Sequence, residues 1–192
     1  AERMDLESLA DYWWIQEFSC NGDAFNTGST YMYKTRNGKL FWGPPWDFDI
    51  AWVLDMGYGP GYVTGLCNTE MNWIDRLREE DSQFAALLKE RWLDETDGIR
   101  KYLCKITEDS PEGILNQYSE EIRKSHVMNQ ERWMNPDDPE TQTDLDTAKE
   151  NLRFWINKRI EWIDNNIDNV GKVYCTISYE NADGDIFTTK SV

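Results

Sequence analysis

Two aspartates stand in an otherwise apolar run of the sequence, and their spacing suits metal chemistry. Asp47 and Asp49 lie within residues 43–52, which read GPPWDFDIAW. Ionised carboxylates are seldom buried among apolar residues unless they are paired or bind a metal. In an extended strand both would project from one face, opposite Trp46 and Phe48. The pattern leaves two readings open: an edge strand with one solvated face, or a site for a hard cation such as Mg²⁺, which prefers carboxylate oxygens.

The elements that precede this run place it in a recognisable order. Segment 30–42 is predicted to be a hairpin, because Asn37-Gly38 supplies the positive φ angles of a type I′ turn. Residues 4–20 have the broad apolar face of a helix, and the polar loop after them contains Asp23. After the helix, the chain has a loop aspartate, then a hairpin, then Asp-Phe-Asp. Protein kinases have the same order: a catalytic loop, two short strands and a metal-binding aspartate.

Several stretches of the chain together resemble the spore-coat protein H (CotH) kinase-like family. They are the hairpin, DYWWIQEFSCNGDAF, GPPWDFDIAW, NWIDRL…FAALLKERW and NLRFWINKRIEWIDNNI. The resemblance covers about residues 5–170, and its most specific parts are the WDFD run and the spacing from it to the late tryptophan-rich helix. The family is regarded as a group of atypical, secreted or spore-surface protein kinases with a much altered kinase fold. Related domains occur in extracellular bacterial proteins and in fungal surface adhesins.

The resemblance implies a role for each carboxylate. Asp23 takes the catalytic-loop role of orienting the acceptor hydroxyl, and Asp47 takes the role of the metal-binding aspartate. Asp49 stands where ordinary kinases have a glycine and fits the D-x-D form of the family. It is therefore read as a second metal carboxylate or as a structural hydrogen-bond acceptor. The separation of 24 residues between Asp23 and Asp47 (47 − 23) leaves room for the predicted hairpin.

The resemblance also implies a cofactor, Mg²⁺ or Mn²⁺ with ATP. Many relatives have an Asn five residues after the loop aspartate, but this chain has Gly28 there, so the nearby amides Asn21 and Asn26 are the predicted cofactor-binding residues. Relatives carry the phosphate-binding Lys in an upstream β-rich portion, and Lys34 and Lys39 on the hairpin are expected to face solvent. We therefore expect a catalytic-half fragment of a larger parent polypeptide that lacks much of the nucleotide cradle.

Charge and hydropathy exclude some partners. Among 192 residues, 36 are acidic and 20 are basic, which gives a formal net charge of −16. Such a charge argues against nucleic acids and anionic membranes as partners. The sequence contains no apolar run of the ~20 residues that a membrane span requires, so we expect no membrane insertion. Because ATP is itself an anion, a kinase site in this chain needs a divalent metal.

The helical patterns predict the fold class. Apolar stripes at helical spacing extend over residues 72–93, with a break near Asp81, and over residues 144–169. Together with one hairpin they predict an α+β, mainly α-helical fold, a kinase-like C-lobe with a small antiparallel hairpin. Residues 1–171 form the CotH-like portion, and residues 172–192 form a C-terminal β-hairpin or the start of a following β domain. Three basic residues of the last helix are read as helix-face salt-bridge formers rather than as ligand contacts: Arg153, Lys158 and Arg159.

The cysteines are far apart in the sequence. The sequence has no C-x-x-C pair and no His close to a cysteine, so nothing suggests a zinc site. The cysteines are read as mostly buried thiols, with one disulfide possible if the protein is exported. The four positions are Cys20, Cys67, Cys104 and Cys175.

Two classes of function stay open at this point. The first is a secreted or cell-surface bacterial kinase domain that phosphorylates protein Ser or Thr. The second is a non-catalytic extracellular module that binds polysaccharide or protein through exposed tryptophans. The burial of Trp42, Trp46 and Trp52 is expected to discriminate them.

Overall fold

The computed structural model describes residues 3–22, 25, 28–52, 63–68, 72–137, 143–171, 176–180 and 186–191. Within these residues the chain forms six α-helices and two separate two-stranded antiparallel sheets, which confirms the mainly helical α+β fold. In chain order the elements are α1 (Leu6–Ser19), β1 (Met32–Lys34), β2 (Leu40–Trp42), α2 (Asn72–Glu80), α3 (Ser82–Leu93), α4 (Ile99–Ile106), α5 (Ile114–Trp133), α6 (Leu145–Asn166), β3 (Thr176–Glu180) and β4 (Ile186–Ser191).

Helix α1 is the centre of the core. Asp5 caps its first turn by accepting a hydrogen bond from the Ser8 backbone N–H at 2.9 Å, and the helix ends at Cys20, whose backbone is left-handed. Its large side chains are almost fully buried on more than one side, as in a helix that other elements surround. The Trp14 indole N–H reaches the Leu88 carbonyl of α3 at 2.8 Å, which joins the two helices through a buried hydrogen bond.

Aromatic rings fill the space between α1, α3 and α6. Phe18 of α1 lies against Trp92 of α3 and edge-on to Trp155 of α6, with centroid distances of 6.1 and 5.8 Å. Trp52, which follows the Asp-Phe-Asp run, contacts both Phe18 and Trp155 edge-on. The end of that run is therefore anchored in the core by its tryptophan.

The predicted break near Asp81 is confirmed. Helix α2 ends at Glu80, and Asp81 caps α3 by accepting hydrogen bonds from the backbone N–H groups of Gln83 and Phe84 at 2.9 and 3.0 Å. Helix α4 was not predicted. Its eight residues are too few for a clear periodic pattern, and Leu103 is its one buried residue. The next helix, α5, begins at Ile114.

The first hairpin is confirmed, but its turn is not type I′. Strand β1 pairs with β2 in the register Met32↔Trp42 and Lys34↔Leu40. Asn37 has a φ of 63°, whereas Gly38 is not in the left-handed region that a type I′ turn also requires at that position. A Cβ on Gly38 would lie 2.2 Å from the Thr35 hydroxyl oxygen, so a larger residue here would require the Thr35 side chain to rotate away.

The second hairpin, β3 with β4, confirms the β-strand pair predicted near the C-terminus. Thr176 pairs with Ser191 and Tyr179 with Thr188. Whether this hairpin completes the domain or begins another stays a prediction. Over the described residues, no helix combines the length and the apolar character that crossing a membrane demands.

Candidate functional site

The Asp-Phe-Asp run is not a strand, which corrects the sequence interpretation. Residues 43–48 have no regular secondary structure, and residues 49–52 form a turn. The backbone of Asp47 is left-handed, with a φ of 64°, which is incompatible with an extended strand. Both Asp47 and Asp49 are exposed, so neither carries the cost of a buried charge.

Two side chains from the preceding segment hold Asp47. The Asn21 side-chain amide donates to the Asp47 backbone carbonyl at 3.0 Å, and the Ser29 hydroxyl donates to the Asp47 carboxylate Oδ2 at 3.0 Å. Asn21 is fully buried, whereas the carboxylate is open to solvent. The loop after α1 therefore fixes both the backbone and the carboxylate of Asp47.

The other predicted site residues divide into two groups. Asp23 and Asn26 lie outside the described residues, so the catalytic role of Asp23 and the cofactor-binding role of Asn26 stay predictions. Asn21 is described, and its amide nitrogen donates to Gln16 Oε1 as well as to Asp47. Its role as a cofactor ligand stays a prediction, while its contacts give it a structural role.

Sequence reasoning missed a buried ion pair beneath this loop. Arg159 of α6 and Glu17 of α1 are both fully buried, and a guanidinium nitrogen lies 2.7 Å from the Glu17 carboxylate. The carboxylate also accepts the backbone N–H groups of Cys67 and Asn68 at 2.8 and 2.9 Å. Arg159 donates in turn to the Gly65 carbonyl at 2.6 Å. Arg159 therefore forms the salt bridge expected of it, but the pair is buried in the core rather than exposed on the helix surface.

Burial dominates the electrostatics of this pair. Removal from water raises the pKa of the Glu17 carboxyl, and the Arg159 guanidinium and two backbone N–H groups oppose that rise. Burial likewise lowers the pKa of Arg159, against the attraction of Glu17. Both shifts have desolvation as their largest cause, so the pair holds segment 63–68 in place at an electrostatic cost.

A disulfide joins the same two segments. Cys20, directly after α1, is bonded to Cys67, with a Cα–Cα distance of 5.2 Å. Cys104 is free and exposed, which corrects the prediction of mostly buried thiols; Cys175 lies outside the described residues. The Trp52 backbone N–H donates to the Ser19 carbonyl at 2.7 Å. Residue 52 and segment 63–68 are therefore both attached to the last turn of α1.

Comparison with known proteins identifies the family. A family model described as CotH kinase protein matches residues 1–163. The chain belongs to the CotH kinase family. Neither a curated protein nor a solved structure shows a significant match to the chain. The matched residues of this CotH-family chain include Asp47, Asp49 and the buried ion pair.

The three tryptophans that were expected to discriminate the functions differ in exposure. In this CotH-family chain, Trp42 is 8% exposed and Trp52 is half-buried against the core. Trp46 is 58% exposed and lies edge-on to Tyr31, itself 47% exposed, with centroids 6.4 Å apart. Two of the three tryptophans are therefore part of the fold, and the third is available to a ligand beside Asp47.

The described carboxylates suit a cation that also binds water and phosphate. Over the described residues, no cluster of three or more His, Cys, Asp or Glu side chains could form a full protein cage for a metal. Mg²⁺ is commonly bound by one or two carboxylates, with waters and substrate phosphates as the other ligands. The exposed oxygens of Asp47 and Asp49 fit that mode of binding.

Proposed function

We propose that this chain is the metal-binding part of a secreted or cell-surface CotH-family kinase that transfers phosphate from ATP to Ser or Thr of a protein substrate. The observation that carries the proposal is the exposed carboxylate of Asp47, which Ser29 and the buried Asn21 hold next to the end of α1. The family membership of residues 1–163 supports the kinase class.

In the mechanism we propose, the side chains of this chain position the metal and the substrate hydroxyl, and the metal neutralises phosphate charge. Asp47, with Asp49 beside it in sequence, would hold Mg²⁺ or Mn²⁺; when bound, the metal offsets the negative charge of the ATP phosphates. That offset matters more in a chain of net charge −16 than in a basic one. Asp23 would accept the proton of the substrate hydroxyl, and Asn21 and Asn26 are the proposed amides near the cofactor.

Secretion is supported by the disulfide. A disulfide such as Cys20–Cys67 forms and persists in oxidising compartments and is rare in the cytosol. An extracellular location also agrees with the family, whose members are regarded as secreted or spore-surface proteins. Mass spectrometry of the protein recovered from its native host, with and without alkylation before reduction, would test whether this pair is oxidised there.

The test of the metal site is Asp47→Asn. Asn tolerates the left-handed backbone of this position, so the substitution removes charge without a steric penalty. We expect the variant to lose Mn²⁺ binding in isothermal titration calorimetry, while its unfolding free energy changes by less than about 0.5 kcal/mol. Asp109→Asn is the matched control, because Asp109 is an exposed aspartate outside the site. A wild-type chain that binds no Mn²⁺, alone or with ATP, would contradict the proposal.

One observation favours a second candidate, a module that binds extracellular polysaccharide. The exposed rings of Trp46 and Tyr31 form a small aromatic surface, and exposed apolar patches on soluble proteins commonly mark binding sites. A glycan array with the wild-type chain and Trp46→Ala tests this function. Glycan binding that depends on Trp46 but not on Asp47 would favour the module over the kinase.

A further inference from the structure

Gln16 is one of the buried polar side chains of α1, next to Glu17. It is fully buried, between the fully buried Trp13 and Phe18 of the same helix. Its side-chain oxygen accepts a hydrogen bond from the Asn21 amide at 2.9 Å. Its backbone carbonyl accepts from the Asn21 backbone N–H and from the Asn68 side-chain amide, each at 3.1 Å. Asn21 therefore donates twice to this residue, once from its side chain and once from its backbone.

The contact with Gln16 determines which way the Asn21 amide faces. The Asn21 nitrogen donates to two acceptors, Gln16 Oε1 and the Asp47 carbonyl. If the amide were reversed, its oxygen would face two other oxygens, and both hydrogen bonds would be lost. An acceptor at Gln16 therefore keeps the donor of Asn21 directed at Asp47.

The backbone of Asp47 needs such a restraint. The φ of Asp47 is 64°, in the left-handed region that residues other than glycine adopt less often, although Asp and Asn tolerate it better than most. The conformation persists only where surrounding contacts fix it. Asn21 supplies one of those contacts from a fully buried position, so a change at Gln16 reaches Asp47 through a single intermediate residue.

We infer that Gln16 is a positioning residue for the metal site: through Asn21 it sets the backbone of Asp47 and so the direction of its carboxylate. The inference rests on the proposed function, because it concerns the same carboxylate. Gln16 itself touches neither metal nor substrate. Residues that orient metal ligands without touching the metal act in the same way, and their substitution typically lowers metal affinity by about 10- to 100-fold.

Two substitutions of Gln16 separate positioning from stability. Gln16→Met keeps the length of the side chain and removes the acceptor, so Mn²⁺ affinity should fall by about 10-fold or more. Gln16→Glu keeps an acceptor oxygen for Asn21 but adds a carboxylate next to the buried Glu17. It should lower the melting temperature more than Gln16→Met does and yet keep Mn²⁺ affinity near the wild-type value. A purely structural role predicts the opposite order, with affinity following stability.

The measurement is titration of Mn²⁺ into the full 192-residue chain, followed by electron paramagnetic resonance of the free ion well below the melting temperature. Amide ¹H–¹⁵N shifts of Asp47 and Phe48, recorded without metal, report the backbone directly. We expect these shifts to move in Gln16→Met and to stay in place in Gln16→Glu.

The outcomes distinguish this inference from the proposed function. If the wild-type chain binds Mn²⁺ and Gln16→Met binds it within about twofold, the inference is wrong and the metal site stands. If the wild-type chain binds no Mn²⁺, the proposed function fails and the metal-positioning role fails with it. Unchanged Asp47 and Phe48 shifts in Gln16→Met overturn the positioning of the backbone in either case.

Discussion

Two carboxylates close to the C-terminal end of α1 are held in opposite ways. Glu17 is fully buried and accepts hydrogen bonds from Arg159 and from two backbone N–H groups. Asp47 is exposed, and among the described residues its carboxylate accepts one side-chain hydrogen bond, from Ser29. The first carboxylate accepts three hydrogen bonds from the protein, whereas the second presents its oxygens to solvent.

The contrast shows that the buried carboxylate of Glu17 serves the fold, whereas the exposed carboxylate of Asp47 is open to a ligand. A buried carboxylate with a full set of donors cannot change partners without loss of stability. An exposed carboxylate carries little stability, so its chemistry can be used for binding. Neutralising Glu17 or its partner should therefore change unfolding, and neutralising Asp47 should change ligand affinity. The following predictions test this division, starting with the largest effect.

The largest effect is expected for Arg159→Met. The substitution leaves Glu17 buried without its counter-charge and removes the donor to the Gly65 carbonyl. We expect the free energy of unfolding to fall by ~3–5 kcal/mol, the usual cost of breaking a buried pair on one side. Urea unfolding followed by tryptophan fluorescence measures it.

The matched control is the double variant Glu17→Gln/Arg159→Met. It removes the stranded charge, so it should be more stable than Arg159→Met alone. A double variant that is no more stable than the single one would show that lost packing, rather than uncompensated charge, explains the effect, and the contrast with Asp47 would then fail.

The second prediction concerns pH. Burial raises the pKa of Glu17 in the folded chain above 4.5, so the folded state keeps that proton at a pH where the unfolded state has lost it. Stability linked to Glu17 should therefore decrease as pH rises from 4.5 through the folded pKa. The difference in unfolding free energy between wild type and Glu17→Gln isolates this effect from the other acidic groups. Relative to Glu17→Gln, the wild type should lose stability over that range; a constant difference would contradict the direction of the shift.

The smallest effect is expected for Ser29→Ala. The change removes the hydrogen bond that Ser29 donates to the Asp47 carboxylate at a position near the surface. The unfolding free energy should change by no more than about 0.5 kcal/mol. Mn²⁺ affinity should fall by about 2- to 10-fold, the equivalent of one hydrogen bond. Calorimetric titration and urea unfolding measure the two quantities. A lower free energy of unfolding with unchanged Mn²⁺ affinity would show that Ser29 serves the fold, like Glu17, rather than metal binding.

The fold was predictable where local patterns decide it. The helical stripes indicated α1, the α2–α3 pair and α6 correctly, and the Asn37-Gly38 signal indicated the hairpin, because each depends on neighbours along the chain. The Asp-Phe-Asp run was predicted as a strand from its alternation. That prediction failed because contacts from Asn21, 26 residues away, hold Asp47 in a conformation that no pattern of polarity encodes.

The buried pair was harder to predict, because its members are 142 residues apart in sequence. A signal did exist in each helix. Glu17 interrupts the apolar run of α1, and Arg159 lies beside Ile156 and Ile160 on the apolar stripe of α6. Opposite charges on the buried faces of two helices are a reason to expect a pair. Which of several acidic and basic residues would meet could not be read without the packing of the helices.

The disulfide has a consequence for the topology of the covalent chain. Cys20 and Cys67 are 47 positions apart, so the bond closes a ring that contains all five predicted site residues: Asn21, Asp23, Asn26, Asp47 and Asp49. A cross-link over a loop of this length restricts the unfolded chain by ~4 kcal/mol in the chain-entropy treatment. A protease that cuts once inside the ring would leave a single covalent molecule, whose two pieces separate only after reduction. The segment that carries the site can thus be nicked in an oxidising environment without being released.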